Sequence, residues 1–352
     1  MLRVLTSNRA VSLQTVAVDI VKVASRLGVK ATWHDRIIPS FELRKNGDSA
    51  IIVMAIDPLI ATPWILLARD CNKGKVNNVF YGTIEGKVNT RYVYEWMREV
   101  KFIANSEYTK NKLVEAGLIV IDVVRHGVDL DTVKQAKSSK TIGAEYMQRH
   151  GLNPSNHIVV LTIANSHPRK GLAWYDRVIE EVEKKDNSVK FLVITEDKGL
   201  NYFRNHENLV VVADFGKLPR LTVLSIIATA HILAIPSLSE GFCMPALEAM
   251  ALGTPIVHTE LPPLMEFSTG FTVPVREISY FDKSEVGPSG IIYEQHLYDV
   301  KEFAQVILQV VDAWRNWRGE IADWRRKSWS RAKHFDIYNV YPKLVKHVVE
   351  VV

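Results

Sequence analysis

A chain of 352 residues is longer than a single hydrophobic core usually grows, so two domains of roughly 150 residues each are expected. With 47% hydrophobic and 24% charged residues and no long biased tract, the composition excludes a disordered or fibrous protein. Two cysteines, Cys71 and Cys243, exclude a disulfide framework or a structural zinc site and point to a reducing, cytoplasmic compartment.

The opening MLRVLTSNRA lacks the layout of a signal peptide, and no stretch of about 18 uninterrupted apolar residues follows, so no membrane span is expected. Short apolar runs then recur between longer amphipathic stretches, the pattern of parallel strands joined by helices. In the first half these runs are Leu2–Leu5, Ala50–Ala55, Val79–Tyr81, Lys101–Ala104 and Ile119–Val124. A polar segment, Asp129–Ser155, has the composition of a connection and is where the domain boundary is placed. The second half repeats the scheme with His157–Ile163, Lys190–Ile194, Leu209–Val212, Ile232–Ile235 and Pro255–His258. This is a doubly wound α/β pattern twice over, without a detectable sequence repeat.

Two strand-loop-helix units of the second half carry the chemistry. In LTIANSHPRKGL (Leu161–Leu172) an apolar strand runs into Arg169-Lys170-Gly171 and then a helix-like stretch. Cations and free N–H groups at a helix N-terminus form a diphosphate site. In SLSEGFCMPALEAMALGTPIV (Ser237–Val257) Glu240 sits in a loop after a strand, and Glu248 lies about one turn into a helix opened near Pro245. Carboxylates at the C-terminal edge of a parallel sheet accept hydrogen bonds from paired hydroxyls, as on a sugar or ribose, and Gly241 allows close backbone approach. Either acid taken alone could equally be a solvated side chain.

After about residue 297 the strand-like runs stop and helical periodicity takes over, with Trp314, Trp317, Ile321, Trp324 and Ser328 on one stripe. Arg315 to Lys333 holds seven basic residues against two acidic ones, so the segment could lie on an anionic membrane; the plainer reading packs the tryptophans against the protein with the arginines in water. The formal net charge of +5 would suit a polyanionic substrate, an anionic membrane surface or a nucleic acid, but the plainer reading is a modest excess of Lys and Arg spread over a large surface, and no nucleic-acid partner is expected.

Glu240–Val257 resembles the Glu-x7-Glu signature of retaining glycosyltransferases of family 4 (group 1), with Cys243 in place of the second glycine. Asn105–Leu113, His126-Gly127-Val128-Asp129, Val212–Leu218 and Leu261–Gly270 are similar to weaker family segments in the expected order. The resemblance implies a GT-B fold: two facing Rossmann-like domains with a central cleft and C-terminal helices returning to the first domain. The implied domains are an acceptor domain over 1–140, a donor domain over 141–325 and a returning helix over 326–352.

It further implies a nucleotide-diphosphate sugar as co-substrate, UDP- or GDP-linked, with no cofactor and no metal, and a glycan, glycolipid or protein as acceptor. Glu240, Arg169 and Lys170 would serve catalysis, Glu248 would hold the donor ribose, and Gly241, Phe242, Cys243, Asn165, Phe215 and Lys217 would line the donor. On the acceptor side, Arg9 and Asp57 stand in altered family segments, Tyr81 replaces a family histidine, and His126 belongs to the turn before the linker. Retaining transfer in this family is thought to use the leaving diphosphate itself as proton acceptor. Alternatives on the same fold are a nucleotide-sugar epimerase and a nucleotide-sugar-binding protein without turnover.

Overall fold

The computed structural model describes residues 1–8, 10–281 and 289–350. The chain divides into two compact units: Met1–Asp129 with Tyr280–Glu294 and His334–Val352, and Leu130–Ser279 with Gln295–Lys333.

The strands of unit 1 are β1 (Leu2–Leu5), β2 (Ala31–His34), β3 (Ser49–Ala55), β4 (Asn78–Thr83), a short β5 (Gly86–Val88), β6 (Phe102–Ala104) and β7 (Val120–Val123), the five apolar runs becoming β1, β3, β4, β6 and β7. Among the described residues, six of these form one parallel sheet in the order β2-β1-β3-β4-β6-β7. The edge strand β2 has no counterpart in the apolar runs, because Ala-Thr-Trp-His pairs on one side only and stays half exposed. Helices α1 (Val11–Arg26), α2 (Ser40–Asn46), α3 (Thr62–Lys73) and α4 (Glu107–Glu115) form the crossovers.

Unit 2 begins with α5 (Leu130–Ser138) and α6 (Lys140–Arg149). The segment expected as a polar connection is therefore helical. Leu130, Val133 and Ala136 on α5, and Gly143, Tyr146 and Met147 on α6, form the buried faces, and the Lys- and Ser-rich composition lies on the outer ones. Strands β8 (Ile158–Ile163), β9 (Val189–Ile194), β10 (Leu209–Val212), β11 (Ile232–Ile235), β12 (Ile256–Thr259) and β13 (Phe271–Val273) make a parallel sheet in the order β10-β9-β8-β11-β12-β13. Its crossover helices are α7 (Leu172–Glu183), α8 (Arg220–Thr229), α9 (Met244–Leu252) and the short α10 (Pro262–Met265). Gly143 is forced by packing: a Cβ there would lie 2.2 Å from the Ser225 carbonyl oxygen of α8.

Two more strands follow, β14 (Val275–Phe281) and β15 (Ile291–Tyr298), and the start of β15 pairs antiparallel with β5 inside unit 1. The described residues within 280–294, which the sequence ranges put with the second half, thus pack with the first. Asp57 anchors this return, accepting from Gly290 N (2.7 Å) and Ser289 Oγ (2.6 Å).

The tryptophan stripe is not one helix. Backbone geometry at Trp317 (φ −129°, ψ 49°) separates α11 (Val300–Asn316) from α12 (Arg318–Ala332). Trp314 is half-buried and Trp324 buried, their Nε1 groups donating to the carbonyls of His231 (2.8 Å) and Thr269 (2.6 Å), while Trp317 is 58% exposed. Helix α13 (Ile337–Lys346) closes the chain in unit 1, where Ile337, Tyr341, Leu344 and Val345 join Leu13, Val16, Ala17 and Ile20 of α1 in one apolar cluster. No helix among the described residues is long and apolar enough to cross a membrane.

Candidate active site

The strand order of unit 2 reverses between β8 and β11, since β9 and β10 lie on one side and β12 and β13 on the other. At such a switch point the loops leaving neighbouring strands diverge and open a crevice beyond their carboxyl ends. The loop after β8 carries Arg169 and Lys170 in a 3-10 turn, Pro168–Lys170, and the loop after β11 carries Ser237, Ser239 and Glu240.

Backbone contacts fasten these loops together. The Arg169 carbonyl accepts from Leu238 N (2.8 Å) and Ser239 N (3.3 Å). Gly171 sits at φ +67°, and a Cβ there would meet the Pro236 carbonyl oxygen at 2.2 Å, so both conformation and contact demand glycine.

The side chains then converge. Lys170 Nζ lies 2.5 Å from Glu240 Oε1, Arg169 Nη1 lies 3.6 Å from Oε2 and donates to Ser239 O at 3.3 Å, and Ser237 Oγ donates to Oε1 at 2.7 Å. Glu240 is only 5% exposed. Burial alone would raise its carboxyl, but the Lys170 and Arg169 charges and the hydrogen bonds from Lys170 and Ser237 hold it below the ordinary value. It is therefore an ionised carboxylate with two cations within reach.

Glu248, in the second turn of α9 and 3% exposed, accepts from Arg220 Nη2 at 2.6 Å. Arg220 is absent from the sequence reading, although a signal for it exists: it opens α8, and a cation is disfavoured at a helix N-terminus unless an acid or an anionic ligand compensates. Ser237 had no signal, since a serine in a polar loop is ordinary.

Between the two acids, Cys243 takes φ 76° and ψ 76° just ahead of α9, a left-handed conformation rare for a side-chain-bearing residue. Its thiol is buried, which pushes its pKa up with Glu240 adding to the effect. Gly241 is buried as well, and Phe242 stacks on Phe267 with ring centroids 4.7 Å apart.

The other residues expected at the donor are more peripheral. Asn165 Oδ1 accepts from His167 N at 3.3 Å, and His167 Nδ1 in turn accepts from Arg169 N at 3.2 Å, so both shape the Arg169 turn. Phe215, half-buried after β10, donates its N–H to Thr195 O at 3.0 Å. Lys217 is exposed, 3.7 Å from Asp197.

Residues 157–284 match the family model described as Glycosyl transferases group 1. The chain is a glycosyltransferase. It is similar over 97% of its length to the "Uncharacterized glycosyltransferase 335" of Sulfolobus islandicus rod-shaped virus 1, at 26% identity and covering 99% of that protein. It is also similar to the "D-inositol 3-phosphate glycosyltransferase" of Mycobacterium sp. (strain JLS), at 29% identity over 59% of this chain; the match spans 44% of that longer relative. Among solved structures it resembles Anabaena HepE in complex with UDP and glucose (TM-score 0.68, 13% identity, 98% of each chain covered). It resembles trehalose-6-phosphate synthase OtsA likewise (TM-score 0.70, 11% identity, 100% of this chain and 99% of that one). The glycosyltransferase thus has the GT-B fold.

In unit 1 of this glycosyltransferase the residues expected on the acceptor side are engaged internally. Asp57 is 5% exposed and also accepts from Leu59 N and Ile60 N, so its carboxylate staples a turn and the returning segment. Tyr81 is fully buried in β4 and its hydroxyl lies 2.7 Å from His126 Nδ1 and 2.9 Å from Val124 O. His126, 4% exposed, is held neutral, with its pKa pushed down to about 3 by burial. The physical reason is the same for all three: each satisfies a buried polar group inside the unit. Arg9 lies outside the described residues.

Proposed function

We propose that the protein transfers a sugar, with retention, from a nucleotide-diphosphate sugar to an acceptor, and that the switch-point loops of unit 2 hold the donor. The observation that carries this reading is the buried Glu240 carboxylate gripped by Lys170 and Arg169 at the carboxyl edge of β8 and β11. An ammonium has three donors, and Lys170 spends one on Glu240. With Arg169 it supplies the positive field that a diphosphate leaving group requires as charge builds on its oxygens. Glu240, kept ionised, accepts hydrogen bonds from sugar hydroxyls. Glu248, braced by Arg220, accepts from the ribose.

On this reading no protein side chain attacks the sugar. The leaving diphosphate takes the proton of the incoming acceptor hydroxyl, and the loops orient both phosphates and sugar. The family match and the UDP bound in the neighbouring HepE structure support a nucleotide-sugar donor.

The test is calorimetric titration with UDP, GDP and ADP and their sugar conjugates in the presence of a chelator. Glu248→Ala should weaken nucleotide and nucleotide sugar alike, whereas Glu240→Ala should spare the free nucleotide and weaken the sugar-bearing donor on the order of tenfold or more. Equal losses of both ligands in both variants would refute this division of roles. Donor binding without release of nucleotide across a broad acceptor panel would favour a binding protein.

A further inference from the structure

A second concave site lies at the opposite edge of the same sheet. A cavity of about 610 Å³ is bounded by Ile158 at the start of β8, Ser188 just before β9 and His231 just before β11. The donor loops leave the far ends of these strands, roughly 20 Å away for a six-residue strand.

The cavity wall is strongly basic. Arg315, Arg318 and Arg325 line it with His157 and His231, and no Asp or Glu does so among the described residues. Arg315 is paired with Asp186 (2.5 Å), which does not itself line the cavity. Among the described residues the other two guanidinium groups contact neutral groups: Arg318 Nε donates to Trp314 O at 3.4 Å, and Arg325 Nε donates to Gly253 O at 2.9 Å while its Cζ lies 4.7 Å from the Trp314 ring centroid. Lys137 and Lys140 stand close enough to Arg325 that each is held below its ordinary pKa, by burial first and then by their neighbours' charge. His231 Nδ1 accepts from Val159 N at 3.2 Å, which leaves its Nε2–H as a donor.

Arg318 and Arg325 face the cavity with no carboxylate beside them among the described residues, and like charges gathered on one wall are relieved by an anion bound among them. The forked donors of two arginines match the oxygens of a phosphoryl group, and Trp314 offers an apolar wall to whatever carries it. We propose that this cavity is a second anion site, which takes a phosphate or diphosphate group borne by a small molecule or by a lipid headgroup.

Pyrophosphate is the first probe, titrated calorimetrically into the full chain and into Lys170→Ala, Arg318→Glu and Arg325→Gln variants whose folding is checked by thermal melting. Binding should survive Lys170→Ala, which disables the donor loops, and weaken on the order of tenfold or more in Arg318→Glu. Because Arg318 is exposed, that variant should melt with the parent; Arg325→Gln is the second reading of the same wall. Binding that disappears in Lys170→Ala and is untouched in Arg318→Glu and Arg325→Gln overturns the proposal, as does no binding at all. Sedimentation with phosphatidylglycerol and with phosphatidylcholine vesicles separates the two sources. Recruitment to the anionic vesicles alone, displaced by pyrophosphate and lost in Arg318→Glu, identifies a headgroup. Pyrophosphate binding without recruitment identifies a soluble phosphate ester.

Discussion

Glu240, proposed to contact the donor sugar, also bears on stability. A carboxylate 5% exposed survives in ionised form only because Lys170 touches it, with Arg169 and Ser237 in support. Lys170→Ala should therefore cost about 3 kcal/mol of folding stability in urea titration, since it leaves a buried charge underpaired. Adding Glu240→Gln should recover part of that loss, because the remaining side chain is neutral. If Lys170→Ala melts with the parent protein, the pair is not the electrostatic unit described. Arg220 and Glu248 are a second such unit, in which Arg220 is partly exposed and the acid buried.

At the scale of the element, the two loops of the candidate site depend on the backbone conformation just before the helix that follows each. Gly171 and Cys243 both occupy the left-handed region immediately before a helix, but only Gly171 suits it. Gly171→Ala adds strain and a clash with the Pro236 carbonyl, and should destabilise by about 3 kcal/mol while displacing Lys170. Cys243→Gly should act in the opposite sense and stabilise by about 1 kcal/mol, because a left-handed conformation is strained for every residue with a Cβ. Thermal denaturation of the two variants decides the matter, and a destabilised Cys243→Gly would mean that packing of the thiol outweighs the strain. The resemblance to a signature with glycine at this position acquires a physical meaning here, since the observed φ of 76° is a glycine conformation.

Across the whole molecule, three histidines distribute acid sensitivity over both units. Burial depresses His126 to about 3, and it depresses His231 and His167 to about 4, with nearby cations adding to the effect on the latter two. Each folded value lies below that of the unfolded chain, about 6.5. Protons therefore bind the unfolded state first, and stability falls as pH drops from about 6.5 toward 4, continuing toward 3 for His126. The depressed carboxyl of Glu240 contributes stability above its unfolded value near 4.3, and that contribution is lost at still lower pH. Urea midpoints should thus decline steadily between pH 6.5 and 4, and a flat profile over that window would contradict the buried neutral imidazoles.

The sequence by itself determined the α/β architecture, because fully buried parallel strands must be apolar throughout and are therefore visible as runs such as Ile232–Ile235. It also determined the two loops proposed to hold the donor, where Arg169-Lys170-Gly171 and Glu240 to Glu248 are contiguous segments placed by the strands before them. Tertiary structure alone decided what those segments contact. The pairing of Lys170 with Glu240 spans seventy positions, and that of Arg220 with Glu248 twenty-eight. The order β9-β8-β11 that brings Lys170 to Glu240 leaves no local trace in the chain. The half-exposed strand β2, the helices α5 and α6 inside a polar segment, and the return of the described residues within 280–294 to unit 1 were illegible for a related reason: their apolar residues are few and acquire meaning only against a partner distant in sequence. Asp57, Tyr81 and His126 stand out in one dimension because they fall in segments that resemble family motifs. In the fold Tyr81 pairs with His126 and the Val124 carbonyl, and Asp57 accepts from Ser289 and from backbone N–H groups, contacts that only three-dimensional packing could assign.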